Sequence, residues 1–133
     1  MISLIDANII IRFLVREESI HYAKSIAIME QIEKGELKVE ILSEVIMEIL
    51  FIMTKYYEAP LRDIIDDLKT ILQLEGVVNT NKYILINSLD MMVEKKIDYV
   101  DALICSKSKL QGYSKISFDK DVMKKCERQI YKT

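Results

Sequence analysis

The chain has 133 residues, 19 basic side chains against 21 acidic ones, and a formal net charge of −2, with 50% of its residues hydrophobic and 30% charged. That balance excludes intrinsic disorder, and a content of 3 Gly and 1 Pro excludes collagen-like and turn-dense all-β architectures. A single helix-rich domain over residues 1–133 is expected, because domains most often run to roughly 100–150 residues. A slightly acidic chain does not hold a polyanion by bulk charge, so any such partner requires bound cations or a local basic patch. No apolar stretch approaches the ~20 residues that cross a bilayer. Asp6 and Asn8 interrupt what would have to be a signal sequence, so a cytoplasmic protein without a membrane partner is expected.

Met1 to Ile5 is a short apolar, partly β-branched run, expected as a buried strand that ends at Asp6. Asn8 to Val15 reads as a brief helix and Ser19 to Lys34 as a longer one, closed by Gly35 in the left-handed conformation that ends helices. Leu37 to Ile41 is the second β-like run. Ser43 then suits the N-cap of a strongly apolar helix from Glu44 to about Tyr57. Pro60 suits the first turn of the next helix, in which Leu61, Ile64, Ile65, Leu68, Ile71 and Leu72 fall on one face. That stripe requires a partner, either the preceding helix in a hairpin or a second copy of the chain. Gly76 to Val78 is a third strand candidate, followed by helices from Asn81 to Glu94 and from Tyr99 to Leu110, and Ser114 to Phe118 is a last short strand. Alternating strands and helices imply an α/β fold with a mainly parallel sheet, whose ligands bind beyond the carboxyl ends of the strands.

Acids fall at those ends. Asp6 follows the first strand, with Asn8 two residues on; taken alone, Asp6 is as readily a helix cap. Glu48 is surrounded in sequence by Val45, Ile46, Met47, Ile49, Leu50 and Phe51, so it is expected to be buried beside a cation or a donor network. Glu44, in the first turn of the same helix, is assigned to the helix dipole. Asp98 and Asp101 flank a helix start, where Asp98 as N-cap and Asp101 at N3 would be an ordinary structural pair. Asp119 follows the last strand, with Ser117 beside it, and Asp121 is expected on the solvated side. Carboxylates gathered at one sheet edge repel each other unless one or two hard cations join them. Mg²⁺ or Mn²⁺ suits such oxygen donors better than zinc. His21, the single histidine, is expected to be a surface or half-buried residue rather than part of a triad. Cys105 and Cys126 have no C-x-x-C spacing and are read as small hydrophobes, without a disulfide, in a reducing compartment.

Leu4-Ile5-Asp6-Ala7-Asn8, Ser43-Glu44-Val45-Ile46-Met47-Glu48, Asp98-Tyr99-Val100-Asp101-Ala102-Leu103-Ile104 and Ser117-Phe118-Asp119-Lys120-Asp121 resemble the successive motifs of the PIN domain, and more narrowly of VapC-type toxins. The resemblance spans essentially the whole chain. It implies a three-layer α/β/α fold with a central, mainly parallel sheet and a helical hairpin. By it Asp6, Glu48, Asp101 and Asp119 match the acidic tetrad, Asp98 an additional metal-binding acid, and Asn8 and Ser117 the polar neighbours. Ser117 stands where Thr is more usual, and the basic residues of an RNA groove form no obvious run. Arg12 and Arg16, one turn apart after Asp6, are candidates to meet a phosphate or a partner's carboxylate. The implied activity is Mg²⁺- or Mn²⁺-dependent hydrolysis of RNA phosphodiesters, with an antitoxin protein and a homodimer as implied partners. A housekeeping RNA-processing nuclease and a non-catalytic binding module of the same fold are the competing readings. Haloacid-dehalogenase-like phosphatases and response-regulator receivers fit less well, because Asn8 stands where the former's second acid would be and Asp6 lacks the acidic neighbour of the latter.

Overall fold

A computed structural model describes residues 1–127, which form two compact units, Met1–Lys82 and Tyr83 onward. The first begins with β1 (Ile2–Leu4), followed by α1 (Ala7–Val15) and α2 (Ile20–Glu33). Ser19 caps α2 by accepting the Tyr22 N–H at 3.1 Å, and Gly35, at φ +76°, turns the chain beyond its end. The chain then enters β2 (Lys38–Glu40), which pairs in parallel with β1 in the register Ile2–Lys38, Ser3–Val39, Leu4–Glu40. Val77 adds an isolated parallel bridge to Val39, so the third strand candidate contributes one bridge rather than a full strand.

Gly76 allows that bridge to form. Its N–H donates to the Ile32 carbonyl and its own carbonyl accepts from Val39, both at 2.8 Å. A Cβ at this position would run into the backbone oxygens of Ile32 and Leu37. Asn79 continues the attachment with its side chain: Nδ2 donates to the Ile41 carbonyl and Oδ1 accepts the Ile41 N–H, both at 2.8 Å. The amide thereby imitates one residue of a neighbouring strand at the carboxyl end of β2.

α3 (Ser43–Phe51) starts one residue before the expected helix, with Leu42 rather than Ser43 at the N-cap, and runs into a π-helical turn over Ile52–Tyr56. α4 (Leu61–Leu72) follows Pro60, which occupies its N-cap position. Ile64, Ile65, Leu68, Ile71 and Leu72 are buried, and α4 packs on α3. The stripe is thus covered within the unit, as the hairpin alternative requires. On the outer face, partial desolvation raises the Asp67 pKa, an effect strengthened by Asp63 and Asp66 and opposed by Arg16.

Two expectations fail in the sheet. Ile2 and Leu4, on one face of β1, are 60% and 66% exposed, so that face lacks a covering layer, and among the described residues β1 pairs with β2 alone rather than standing as a buried central strand. Residues 114–118 form no strand either, and Ile116 and Phe118 are fully exposed. An extended segment becomes a strand only through a neighbour's ladder, and none pairs with it among the described residues. The structure is accordingly a mostly helical α/β arrangement with a small parallel sheet.

The second unit contains α5 (Lys82–Lys95, beginning at the last residue of the first unit), α6 (Tyr99–Gln111) and α7 (Lys120–Glu127). Gly112, at φ +71°, ends α6 in the left-handed conformation, as its position suggests. Ser106 is buried and donates to Asn87 Oδ1 at 2.8 Å, tying α6 to α5. Cys105 and Cys126 correct the sequence reading: they form a disulfide between α6 and α7. Both half-cystines lie in an apolar cluster with Met91, Ile97 and Ala102, so their hydrophobic role holds while their independence does not. A spacing of 21 residues gives no hint that α7 folds back onto α6. Closing a loop of this size stabilises a domain by about 3 kcal/mol. The double variant Cys105→Ala/Cys126→Ala should therefore melt several degrees below the parent in non-reducing buffer. Dithiothreitol should lower the parent's midpoint and leave the variant's unchanged.

Candidate functional site

Asp6 lies at the carboxyl end of β1, in the N-cap position of α1, and is exposed. Its backbone carbonyl accepts the Ile9 N–H at 3.2 Å, but its carboxylate makes no capping bond. Asp98 repeats the arrangement at α6: an exposed N-cap residue whose carboxylate does not cap. The structural role that most often explains an Asp at a helix start is therefore realised at neither position.

Glu48 is exposed, contrary to the expected burial. The reason is helical geometry. Along α3, Ile46, Ile49 and Leu50 face inward, while Glu44, Met47, Glu48 and Phe51 form the i, i+3, i+4, i+7 outer stripe, two acids and two exposed apolar side chains. Glu48 needs no buried counter-ion, and Glu44 lies in the first turn as expected.

Asp101 is half-buried in the first turn of α6. Asp119 directly precedes α7; its N–H donates to Ser117 Oγ at 2.9 Å and its carbonyl accepts the Met123 N–H at 3.1 Å. Ser117 thus fixes the backbone of Asp119. Asp121 is exposed and paired with Lys125 at 3.5 Å, on the solvated side as expected.

The first unit thus carries Asp6 and Glu48, and the second Asp98, Asp101 and Asp119. Among the described residues no group of three or more His, Cys, Asp or Glu side chains is arranged to hold a metal ion. The donor chemistry is nevertheless of one kind. The cysteines are consumed in the disulfide and His21 stands apart on α2, which leaves carboxylate oxygens suited to a hard divalent ion.

The supporting residues divide. Asn8 makes no hydrogen bond to Asp6; it lines a cavity of about 290 Å³ between α1 and α2, together with Ile9, Arg12, His21, Lys24, Ser25 and Ile28. Arg12 is exposed and faces this cavity, whereas Arg16 is the left-handed C-cap of α1 at φ 62° and interacts with Asp67. The two arginines therefore serve different surfaces. His21 is exposed, as expected; Lys24 and Ser25, which the sequence reading does not single out, share its helix face with Ile28 by their spacing. A second cavity of about 280 Å³, lined by Ser3, Leu4, Ile5, Asp6, Ile9, Ile28, Leu37 and Val39, shares Ile9 and Ile28 with the first.

No helix of the described residues is long and apolar enough to cross a membrane. Neither curated proteins nor solved structures give a significant match to the chain. A family model does, over residues 3–128, a span that contains Asp6, Glu48, Asp98, Asp101 and Asp119. PIN domains are generally nucleases and usually use divalent metal ions. With nearly its whole length matched, and with Asp6 and Asp98 at helix starts that their carboxylates do not cap, the chain belongs to the PIN domain family.

Proposed function

We propose that this chain is a Mg²⁺- or Mn²⁺-dependent endoribonuclease that hydrolyses phosphodiesters in single-stranded or looped RNA. The family match over residues 3–128 carries the reading. Support comes from the all-oxygen donor set and from acids not committed to capping. A divalent ion, when bound, supplies charge neutralisation at the phosphate and a lowered pKa for its water. Asp6 and Asp101 would hold it, with Glu48 and Asp119 as direct or water-mediated ligands and Asp98 as an outer acid that orients water. Ser117 would serve this chemistry by holding the Asp119 backbone. Exposure of Asp6 and Glu48 leaves both reachable by a long flexible substrate. Unpaired RNA suits a cleft of acids because its backbone bends where a duplex does not.

The proposal extends to a VapC-type toxin: a cytoplasmic homodimer of a three-layer α/β/α fold, restrained by an antitoxin that covers the acids. It rests on the motif resemblance. Labelled RNAs incubated with the protein should be cleaved with Mg²⁺ or Mn²⁺, remain intact with excess chelator, and be cleaved again when metal is restored. Cleavage indifferent to chelator removes the metal reading, and binding without cleavage of any RNA favours the binding module. Growth arrest on expression, relieved by the product of a neighbouring reading frame, distinguishes a toxin from a housekeeping nuclease.

A further inference from the structure

The cavity between α1 and α2 brings together what the linear sequence disperses. Arg12 comes from the last turn of α1, His21 and Lys24 from the first turns of α2, and the amide of Asn8 and hydroxyl of Ser25 complete its polar lining. No carboxylate lines it. Neither Arg12 nor Lys24 forms an ion pair among the described residues. On a chain of net charge −2, two unpaired cations around one concavity form the local basic patch that the composition alone requires of a polyanion binder. Ile9 and Ile28 form a wall common to this cavity and to the one lined by Asp6.

We infer that the Arg12–Lys24 cavity is a phosphate subsite, which binds a backbone phosphate of single-stranded RNA while the strand crosses the Ile9–Ile28 wall to Asp6. The inference rests on the nuclease reading above and adds to it the means of substrate retention. The Arg12 guanidinium provides a planar fork of donors for phosphate oxygens, Lys24 a mobile ammonium, and Asn8 and Ser25 neutral donors. An acidic peptide offers carboxylates to the same groups. RNA is favoured because the two cavities are adjacent across Ile9 and Ile28, so that a repeating polyanion can reach from one to the other.

The test is equilibrium binding of a fluorescent single-stranded oligoribonucleotide in excess chelator, which separates affinity from cleavage. Arg12→Gln and Lys24→Gln should each weaken binding several-fold. The double variant should flatten the dependence of log Kd on log salt by about 0.7 for each phosphate that is no longer neutralised. Oligonucleotides carrying one neutral methylphosphonate should reveal a linkage whose neutralisation weakens the parent but not the double variant. Thermal melts of the exposed-site variants should match the parent. Unchanged affinity and salt slope in the double variant would overturn the subsite while leaving the nuclease reading intact. Loss of binding to an acidic peptide, with RNA binding unchanged, would likewise reassign the cavity to a protein partner. A parent that neither binds nor cleaves RNA would remove both readings.

Discussion

Asp6→Asn and Asp101→Asn should each lower metal-dependent RNA cleavage at least about a hundredfold, since a divalent ion contributes several kcal/mol of transition-state stabilisation and each ~1.4 kcal/mol is tenfold in rate. The asparagine keeps the shape of the side chain and removes the charge that would hold the ion. Stability should hardly move in Asp6→Asn. The residue is exposed and its carboxylate caps nothing, and exposed substitutions of this kind stay within about 0.5 kcal/mol. A fall in rate without a fall in melting temperature therefore separates a chemical role from a structural one. Asp121→Asn is the matched control: it removes an exposed acid whose partner is Lys125, and it should cleave at the parent rate. Parent-like rates in both Asp6→Asn and Asp101→Asn would refute the assignment of the acids.

A large effect on stability, comparable to loss of the disulfide, is expected at Gly76. Alanine there should cost about 3 kcal/mol and lower the melting temperature by roughly 10 °C. Its methyl group would overlap the carbonyl oxygens of Ile32 and Leu37, backbone atoms that cannot rotate away as a side chain does. Relief by moving the segment would lengthen the bonds that Gly76 makes to Ile32 of α2 and Val39 of β2, which hold the Val77 bridge in place. Gly35 provides the comparison. It too would crowd a neighbour, but that neighbour is the flexible end of Glu75, so the cost of Gly35→Ala is chiefly its positive φ, about 1 kcal/mol. Denaturant midpoints for the two variants should rank in that order; equal midpoints would show that the Gly76 segment yields without loss.

Local chemistry is legible wherever a residue acts on its immediate neighbours. Gly35 and Gly112 take positive φ beyond helix ends and Pro60 precedes α4, each because a turn or a helix start is decided within a few residues, although Ser43, read as a cap, lies inside α3 with Leu42 at its N-cap. What depends on distant segments is not. The run at 114–118 has strand composition but no ladder among the described residues, and Leu4 is apolar yet exposed on an uncovered face of β1. Glu48 misleads for a different reason: its apolar neighbours in sequence are not its neighbours in space, because the 3.6-residue period places it with Glu44 on the outer face. The disulfide and the basic cavity share one cause. Cys126 meets Cys105, and Lys24 joins Arg12 at one cavity, only because two helices pack, and no spacing within either helix records that packing.

Asn79 bonds Ile41 across 38 residues of chain, and α3 and α4 lie between them. Ordering so long a loop carries an entropic cost before the pair forms, and that cost shrinks once the intervening segment has condensed into helices. The attachment of the Asn79 segment to the end of β2 is consequently expected to close after the α3–α4 hairpin has condensed, an order that follows from topology rather than from the strength of any one bond.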